Sequence, residues 1–212
     1  MENFNNKDHW ENIYTNKALT DVSWYEPVPE TSLEIVEQAK LSKAAKIIDV
    51  GGGDSLLVDH LLEAGYTDVT VLDISANALE RAKARLGEKA ALVKWVVSDA
   101  STFSPVETYD FWHDRAVFHF LTEEQDIENY MAVLSAGIKP GGRLVMGTFS
   151  ESGPLKCSGI PIKQYSEKSM TERLNIAFEQ IRCFTVDHKT PFDTIQNFLF
   201  CSFTRKAPTV NC

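Results

Sequence analysis

The chain has 212 residues, 43% of them hydrophobic, and carries a formal net charge of -9 at pH 7. This length is enough to bury the core of one sizeable domain, and we expect a single domain over residues 1–212. The acidic balance, without any run rich in lysine and arginine, disfavours nucleic acid as a partner.

The first residues, MENFNNKDHW, lack the basic start and apolar core of a secretory signal. No run approaches the roughly 20 apolar residues of a membrane-spanning helix. We therefore expect a cytoplasmic protein with no membrane partner, either a monomer or a homodimer. The four cysteines, Cys157, Cys183, Cys201 and Cys212, lack the close pairing of a zinc site, so we expect no metal and free thiols.

Residues 1–45 precede the first predicted strand and contain two helical patterns. DHWENIYTNKA predicts a short helix, and PETSLEIVEQAKL predicts a second one with Thr31 and Glu34 as its capping box. We expect this segment to form a helical lid over the rest of the domain.

Residues 46–206 alternate short β patterns with helical ones, as in KIIDV, VTVLDIS, LVKWVVSD, YDFWHD and RLVMGTF. Near the end, FEQIRCFTVDHKT and TIQNFLFCSFTRK follow one another without a helix between them, which predicts an antiparallel hairpin. The predicted fold is α/β and Rossmann-like: a doubly wound, seven-stranded, mostly parallel sheet with an antiparallel C-terminal hairpin strand and helices on both faces. Residues 207–212 are expected to be a flexible tail.

The segment DVGGGDS lies between the first predicted strand and a helix, where backbone N–H groups can approach a ligand. A P-loop would need a lysine here, and the segment has none. A dinucleotide fingerprint would need a small residue where Leu56 stands, and Asp54 would place a carboxylate where a pyrophosphate sits. Both kinds of nucleotide site are therefore disfavoured.

The pattern that remains, acidic-x-Gly-x-Gly, resembles the first motif of class I S-adenosylmethionine-dependent methyltransferases, here at Asp49, Gly51 and Gly53. The resemblance implies S-adenosylmethionine as cofactor and S-adenosylhomocysteine as product. The cationic amine and sulfonium of this cofactor favour a carboxylate such as Asp49. The glycines, with Gly52 between them, let the backbone lie against its methionine and ribose parts.

Further matches to the same family follow in the expected order. Asp73 ends the second strand, where the family's acid accepts the ribose hydroxyls, and Ile74 beside it packs on the adenine. Asp99 ends the third strand and resembles the acid that accepts the adenine amino group, with Ala100 alongside. Each of these aspartates is alternatively a simple helix or turn cap. GIKPGGRLVM resembles the family's post-catalytic segment, so the matches span residues 46–148.

The fourth strand ends in WHDRAV, which resembles the segment at this place in thiopurine and tellurite-type methyltransferases. His113 is expected beside the methionine part of the cofactor, and His113 and His119 are the candidate general bases. His119 is alternatively a core histidine. Asp114 and Arg115 are candidate substrate contacts, or else they pair with each other.

Aromatic residues of the amino-terminal segment complete the predicted site. Trp10 and Tyr14 are four apart on a helix, and Trp24 is in the loop that follows; all three are expected to cover the cofactor, in part by cation–π contact. Ordinary packing is the alternative. Tyr25 and Cys157 are candidate substrate contacts, and Cys157 is alternatively an inert small residue.

The sequence thus predicts an enzyme that transfers a methyl group from S-adenosylmethionine to a small-molecule acceptor by in-line displacement. One alternative is a protein-lysine methyltransferase acting on a protein partner, because HWENIY and SWYEP resemble the starts of some compact enzymes of that kind. A second alternative is an S-adenosylmethionine-binding protein without catalysis.

Overall fold

The structure is a computed structural model and describes residues 5–207. Its helices are α1 (Asn6–Asn16), α2 (Glu30–Gln38), α3 (Leu57–Glu63), α4 (Ala76–Leu86), α5 (Glu124–Gly137) and α6 (Glu167–Leu174). Its strands are β1 (Lys46–Val50), β2 (Asp68–Asp73), β3 (Val93–Val97), β4 (Tyr109–Arg115), β5 (Ile138–Phe149), β6 (Lys156–Cys157), β7 (Ile160–Pro161), β8 (Phe178–Lys189) and β9 (Ile195–Arg205). The predicted tail falls mostly on residues 208–212, outside the described residues.

Seven strands form one sheet in the order β3-β2-β1-β4-β5-β9-β8. Strands β1 to β5 pair in parallel, and β9 runs antiparallel between β5 and β8. This confirms the predicted fold, including the hairpin. The strand order reverses between β1 and β4, and a doubly wound sheet binds ligands at the carboxyl ends of the strands at such a point.

Both faces of the sheet are covered, as expected of parallel strands with apolar side chains on both sides. In β1, Ile47 belongs to one core and Ile48 to the other, and both are fully buried. Helices α2, α3 and α4 contribute Ile35, Val36, Leu57, Leu61 and Leu79 to one core, while α5 and α6 contribute Ile127, Tyr130, Leu134, Met170 and Leu174 to the other.

Helix α1 lies over the sheet because a carboxylate fixes it to the start of α4. Glu11 accepts the N–H groups of Ala76 at 2.8 Å and Asn77 at 3.1 Å, and the hydroxyl of Ser75 at 2.9 Å. A carboxylate at a helix N-terminus satisfies free N–H donors and favours the helix dipole. Arg81 in the same helix donates to the carbonyl of Tyr14 at 2.9 Å, which holds the end of α1.

Two local predictions were wrong. Pro29, not Thr31, precedes the first residue of α2 and no side chain caps the helix, so Thr31 and Glu34 form no capping box. Cys183 and Cys201 form a disulfide rather than free thiols, because they face each other across β8 and β9 with Cα atoms 4.1 Å apart. Cys157 is a free, buried thiol, and Cys212 lies outside the described residues.

Within residues 5–207, the structure contains no helix with the length and apolar character needed to cross a membrane. A cytoplasmic location stays a prediction.

We expect Glu11→Gln to lower the free energy of unfolding by about 1 kcal/mol, because a neutral amide accepts helix N–H groups less strongly than a carboxylate. Urea denaturation measures the change. Glu34→Gln, on the exposed side of α2, is the matched control and should stay within about 0.5 kcal/mol of the wild type. Equal losses in both variants would contradict the anchoring role of Glu11.

Candidate active site

A deep cavity opens at the carboxyl ends of β1, β2 and β4, beneath α1 and the loop before α2. Its empty space, counted with the open mouth, is about 1270 Å³. Most of the predicted site residues line it: Trp10, Tyr14, Trp24, Tyr25, Asp49, Gly51, Gly52, Asp73, Ile74, Asp99, Ala100, His113, Arg115 and Cys157.

The glycine turn follows β1 and approaches its neighbours too closely for side chains. Gly51 has φ +67° and Gly53 has φ +49°, a region that favours glycine. A Cβ on Gly51 would overlap the side chain of Val117, and one on Gly53 would lie 2.7 Å from the hydroxyl of Tyr14. The turn therefore needs its glycines to fold, and the bare backbone of Gly51 and Gly52 forms part of the cavity wall.

Three buried carboxylates surround this turn. Asp49, Asp54 and Asp73 are 3%, 2% and 5% exposed. Asp54 pairs with Arg81 at 2.8 Å, and Asp49 bonds to His113 Nδ1 at 2.7 Å. Asp73 accepts the N–H of Ser75 at 2.8 Å.

Burial raises the pKa of Asp73 to about 7, and the charges of Asp54 and Asp49 act in the same direction. A ligand that brings hydroxyl donors or positive charge to this position would stabilise the ionised form. The cavity thus offers more negative charge than its own cations balance.

The sequence argument that Asp54 repels a phosphate needs correction. Asp54 lies three residues before α3, and its charge is compensated by Arg81. Negative charge that disfavours a phosphate in the cavity comes mainly from Asp49 and Asp73 instead.

Asp99 caps a short helical turn and also lines the cavity. Its Oδ1 accepts the N–H of Ser101 at 2.8 Å and the hydroxyl of Ser101 at 2.7 Å, which caps the short helical turn Ala100–Thr102. The residue also lines the cavity beside Ile74. Because Oδ1 already accepts the capping hydrogen bonds, Oδ2 is the oxygen that can accept a hydrogen bond from a ligand.

His113 sits in a chain of hydrogen bonds whose last member the sequence analysis missed. Its Nδ1 contacts Asp49 Oδ1 at 2.7 Å, and its Nε2 contacts Ser32 Oγ in α2 at 2.9 Å. All three side chains line the cavity. Ser32 shares the buried face of α2 with Ile35 and Val36, and a polar residue on an apolar helix face was the available signal.

His119 does not line the cavity, contrary to its predicted role as a general base. It is fully buried against Phe120 and Phe149, and its Nδ1 accepts the N–H of Phe149 at 3.2 Å. Burial, with a smaller effect from the charge of Arg115, lowers the pKa of His119 to about 3. The geometry supports the alternative of a core histidine.

Asp114 also lies outside the cavity wall, which removes it as a substrate contact. It is fully buried and accepts the N–H groups of Val117 and Phe118 at 3.0 and 3.2 Å and the hydroxyl of Tyr130 at 2.7 Å. Burial raises its pKa to about 6. Asp114 therefore organises the turn after β4, and it does not pair with Arg115.

Arg115 instead joins the loop before α2 to the sheet. Its Nη2 lies 3.1 Å from Glu26 Oε1, and His188 Nδ1 in β8 lies 3.0 Å from the same oxygen. His188 Nε2 contacts the carbonyl of Ser23 at 2.7 Å. Glu26 and His188 gave no motif signal, because they are 162 residues apart in sequence.

Aromatic rings close the cavity above this ion-pair cluster. Trp10 packs edge-on against Trp24 and Phe120, with ring centroids 5.7 and 5.2 Å apart, and Tyr14 packs against Trp24 at 6.3 Å. These rings, with Phe120 added from the turn after β4, line the cavity where the sequence predicts a lid. We call Trp10, Tyr14, Trp24 and Phe120 the aromatic lid.

Cys157 lines the cavity and is 6% exposed. Burial raises the pKa of its thiol to about 11, so the side chain is neutral at physiological pH. A neutral, buried thiol behaves as a small apolar surface.

S-adenosylmethionine, which the sequence resemblance implies, fits this wall. Asp49 and Asp73 supply negative charge for a cationic ligand, and Asp73 and Asp99 offer oxygens to hydroxyl and amino donors. The bare glycine backbone leaves room for close approach, and Ile74 supplies an apolar surface beside Asp73.

Comparisons with known proteins agree with this geometry. A family model described as a methyltransferase domain matches residues 48–144. The eEF1A lysine and N-terminal methyltransferase of Mus musculus is 24% identical over 162 residues, which cover 72% of this chain and 23% of that protein. Trans-aconitate 2-methyltransferase of Rhizobium leguminosarum bv. trifolii (strain WSM2304) is 31% identical over 114 residues, which cover 53% of this chain and 42% of that protein. The chain therefore spans less than half the length of either relative.

A solved structure shares the whole fold. The N-methyltransferase NodS from Bradyrhizobium japonicum, in complex with S-adenosyl-L-homocysteine, superimposes with a TM-score of 0.71 and 16% identity, over 96% of this chain and 100% of that chain. At this identity the likeness shows a common fold.

We expect binding of S-adenosylmethionine to weaken as the pH falls below about 7, because ligand donors favour the ionised form of Asp73 and its free carboxyl takes up a proton there. Above that pH the dependence from Asp73 should vanish. Asp73→Asn should weaken binding by about 1–3 kcal/mol and remove this dependence.

Calorimetry in buffers of different ionisation enthalpy measures both affinity and proton release. The difference between wild type and variant isolates Asp73 from the titration of the ligand's own amine. Equal affinities at every pH would show that Asp73 only holds the backbone of the turn before α4.

We expect His119→Gln to make stability less sensitive to acid. The folded-state pKa of His119 is lowered to about 3, so the unfolded chain binds an extra proton between about pH 6.5 and 3 and the wild type loses stability there. Glutamine cannot titrate but retains an oxygen acceptor for the N–H of Phe149. Urea unfolding at neutral and acidic pH should show a smaller loss in the variant, and identical losses would place the acid sensitivity elsewhere.

Proposed function

We propose that the chain is a class I S-adenosylmethionine-dependent methyltransferase and that it methylates a small molecule held beneath the aromatic lid. S-adenosylmethionine supplies an electrophilic methyl group on a sulfonium. The protein's own task is to align a nucleophile with that group and to exclude water.

Residues at the carboxyl ends of β1, β2 and β3 are proposed to hold the cofactor. Asp73 would accept the two ribose hydroxyls, Asp99 the adenine amino group, and Ile74 would pack on the adenine. Asp49, already bonded to His113 through Oδ1, would face the cationic methionine end. The glycine turn would let the backbone contact the same end.

The enclosure of the rest of the cavity carries the proposal for a small acceptor. The aromatic lid covers it from above, and the segment that bears Trp24 and Tyr25 is fixed from both sides by Glu26, which contacts Arg115 and His188. Ordered aromatic walls exclude water and favour a ligand that can be surrounded on most sides.

A protein-lysine acceptor is the second candidate, favoured by the similarity to the mouse eEF1A lysine and N-terminal methyltransferase. A lysine on a folded partner would have to enter past the aromatic lid, so this candidate requires the loop that Glu26 fixes to move. Cys157 is proposed as apolar lining and not as a ligand for soft elements, because its thiol is neutral.

The test is calorimetry with S-adenosylmethionine followed by a methyl-transfer assay on a panel of acceptors. The panel contains small carboxylic acids, amines, thiols, selenite and tellurite, with cell-lysate proteins as a separate arm. We expect turnover in the small-molecule arm, and Cys157→Ser should retain it. Labelling confined to proteins would favour the second candidate, and cofactor binding without turnover in either arm would contradict catalysis on both classes.

A further inference from the structure

The Asp49–His113–Ser32 chain contains a base that is oriented by an acid and bonded to a hydroxyl that also lines the cavity. His113 is 3% exposed, so its ring is held by these contacts and hardly touches solvent. The chain links three separate elements, β1, β4 and α2. No family motif in the sequence includes Ser32.

For a neutral His113 ring, the direction of the hydrogen bonds follows from the chemistry of the partners. Since an ionised carboxylate only accepts, Asp49 requires the proton of His113 to lie on Nδ1. In the neutral imidazole, Nε2 is then an acceptor, and the bond at 2.9 Å must be donated by the hydroxyl of Ser32. The oxygen of Ser32 therefore keeps its lone pairs for a donor in the cavity.

We propose that Ser32 takes the proton released by the methyl acceptor and passes its own proton to His113, which Asp49 orients and stabilises as the imidazolium. This relay rests on the proposed methyl transfer. The acceptor forms a bond to the methyl carbon, and the methyl–sulfur bond breaks with its electron pair remaining on sulfur. The acceptor's X–H proton goes to Ser32 Oγ, and the former hydroxyl proton goes to His113 Nε2.

The relay gives Ser32 a role that touches the acceptor, while His113 and Asp49 act through it. The position of Ser32 fits that role, because it lies on the same segment as Glu26 and Pro29, which also line the cavity. An acceptor beneath the aromatic lid would thus contact both the loop before α2 and the hydroxyl of Ser32. A nucleophile that is protonated when it binds, such as a hydroxyl, is the acceptor class that would use the relay.

Other charges around His113 bear on its protonation. Asp49 faces it from β1, Asp114 and Arg115 flank it in β4, and Glu26 acts on it from the loop before α2. The expected pH dependence of turnover therefore belongs to this group of residues together.

Imidazole NMR on protein with ¹⁵N-labelled histidine tests the relay without knowledge of the acceptor. With S-adenosylhomocysteine bound at neutral pH, we expect His113 to be neutral with its proton on Nδ1, and Ser32→Ala to change the Nε2 shift. An imidazolium, or a neutral ring protonated at Nε2, would overturn the relay, because Ser32 would then accept a bond from His113. Binding of S-adenosylhomocysteine is measured on the same sample, so its failure would count against the proposed function separately.

Kinetics on an acceptor from the panel give the second readout. Ser32→Ala should lower kcat by roughly 10²-fold, with the affinity for S-adenosylmethionine nearly unchanged, and should flatten the rise of kcat with pH. Ser32→Thr keeps the hydroxyl and should restore most of the rate. Ser135→Ala, a serine of α5 outside the cavity wall, is the matched control and should behave as wild type. An unchanged kcat and pH profile in Ser32→Ala would overturn the proposal.

Discussion

Buried negative charge at the carboxyl ends of β1 and β2 is the constraint on which the arrangement of the site depends. Asp49, Asp54 and Asp73 surround the glycine turn that follows β1, and all three are nearly inaccessible to water. Burying a carboxylate is costly unless it is paired or hydrogen-bonded. Asp54 forms an ion pair with Arg81, and Asp49 is hydrogen-bonded to His113. Asp73 accepts a hydrogen bond from the backbone N–H of Ser75.

This distribution links the stability of the fold to its ligand. Asp73 holds its charge with difficulty, which is why its pKa is raised to about 7. A cationic cofactor with hydroxyl donors supplies what the protein leaves out at that position. The same residues that cost stability in the free protein are therefore the ones proposed to favour binding, as is common at functional sites.

The aromatic lid is held in place by residues at the same carboxyl end of the sheet. Arg81 contacts both Asp54 and the carbonyl of Tyr14, so one guanidinium joins the buried charge to α1. Glu11 adds its contacts at the start of α4, directly after Asp73. Cofactor site and lid consequently share residues, and the loop before α2 is tied separately through Glu26 to β4 and β8.

Predictions from the sequence were correct where a pattern is local and periodic. The strands, the hairpin and α1 follow from apolar periodicity and turn residues, which depend on neighbours in the chain. Predictions of side-chain contacts failed where several partners were available to the same side chain. Arg115 pairs with Glu26 rather than with adjacent Asp114, Cys183 bonds to Cys201, and His119 turns into the core instead of the cavity.

The sequence by itself determined the fold and pointed to the methyltransferase resemblance, because a glycine turn after a strand and acids at successive strand ends are ordered along the chain. It also placed most of the cavity wall correctly, since the carboxyl ends of parallel strands must meet at one edge of the sheet. Only the tertiary structure decided which acids are compensated, which histidine faces the cavity, and that Ser32 and Glu26 belong to the site. Those outcomes depend on partners far apart in sequence, which no local pattern encodes: Asp49 and His113 are 64 residues apart, Ser32 and His113 are 81 apart, and Glu26 and Arg115 are 89 apart.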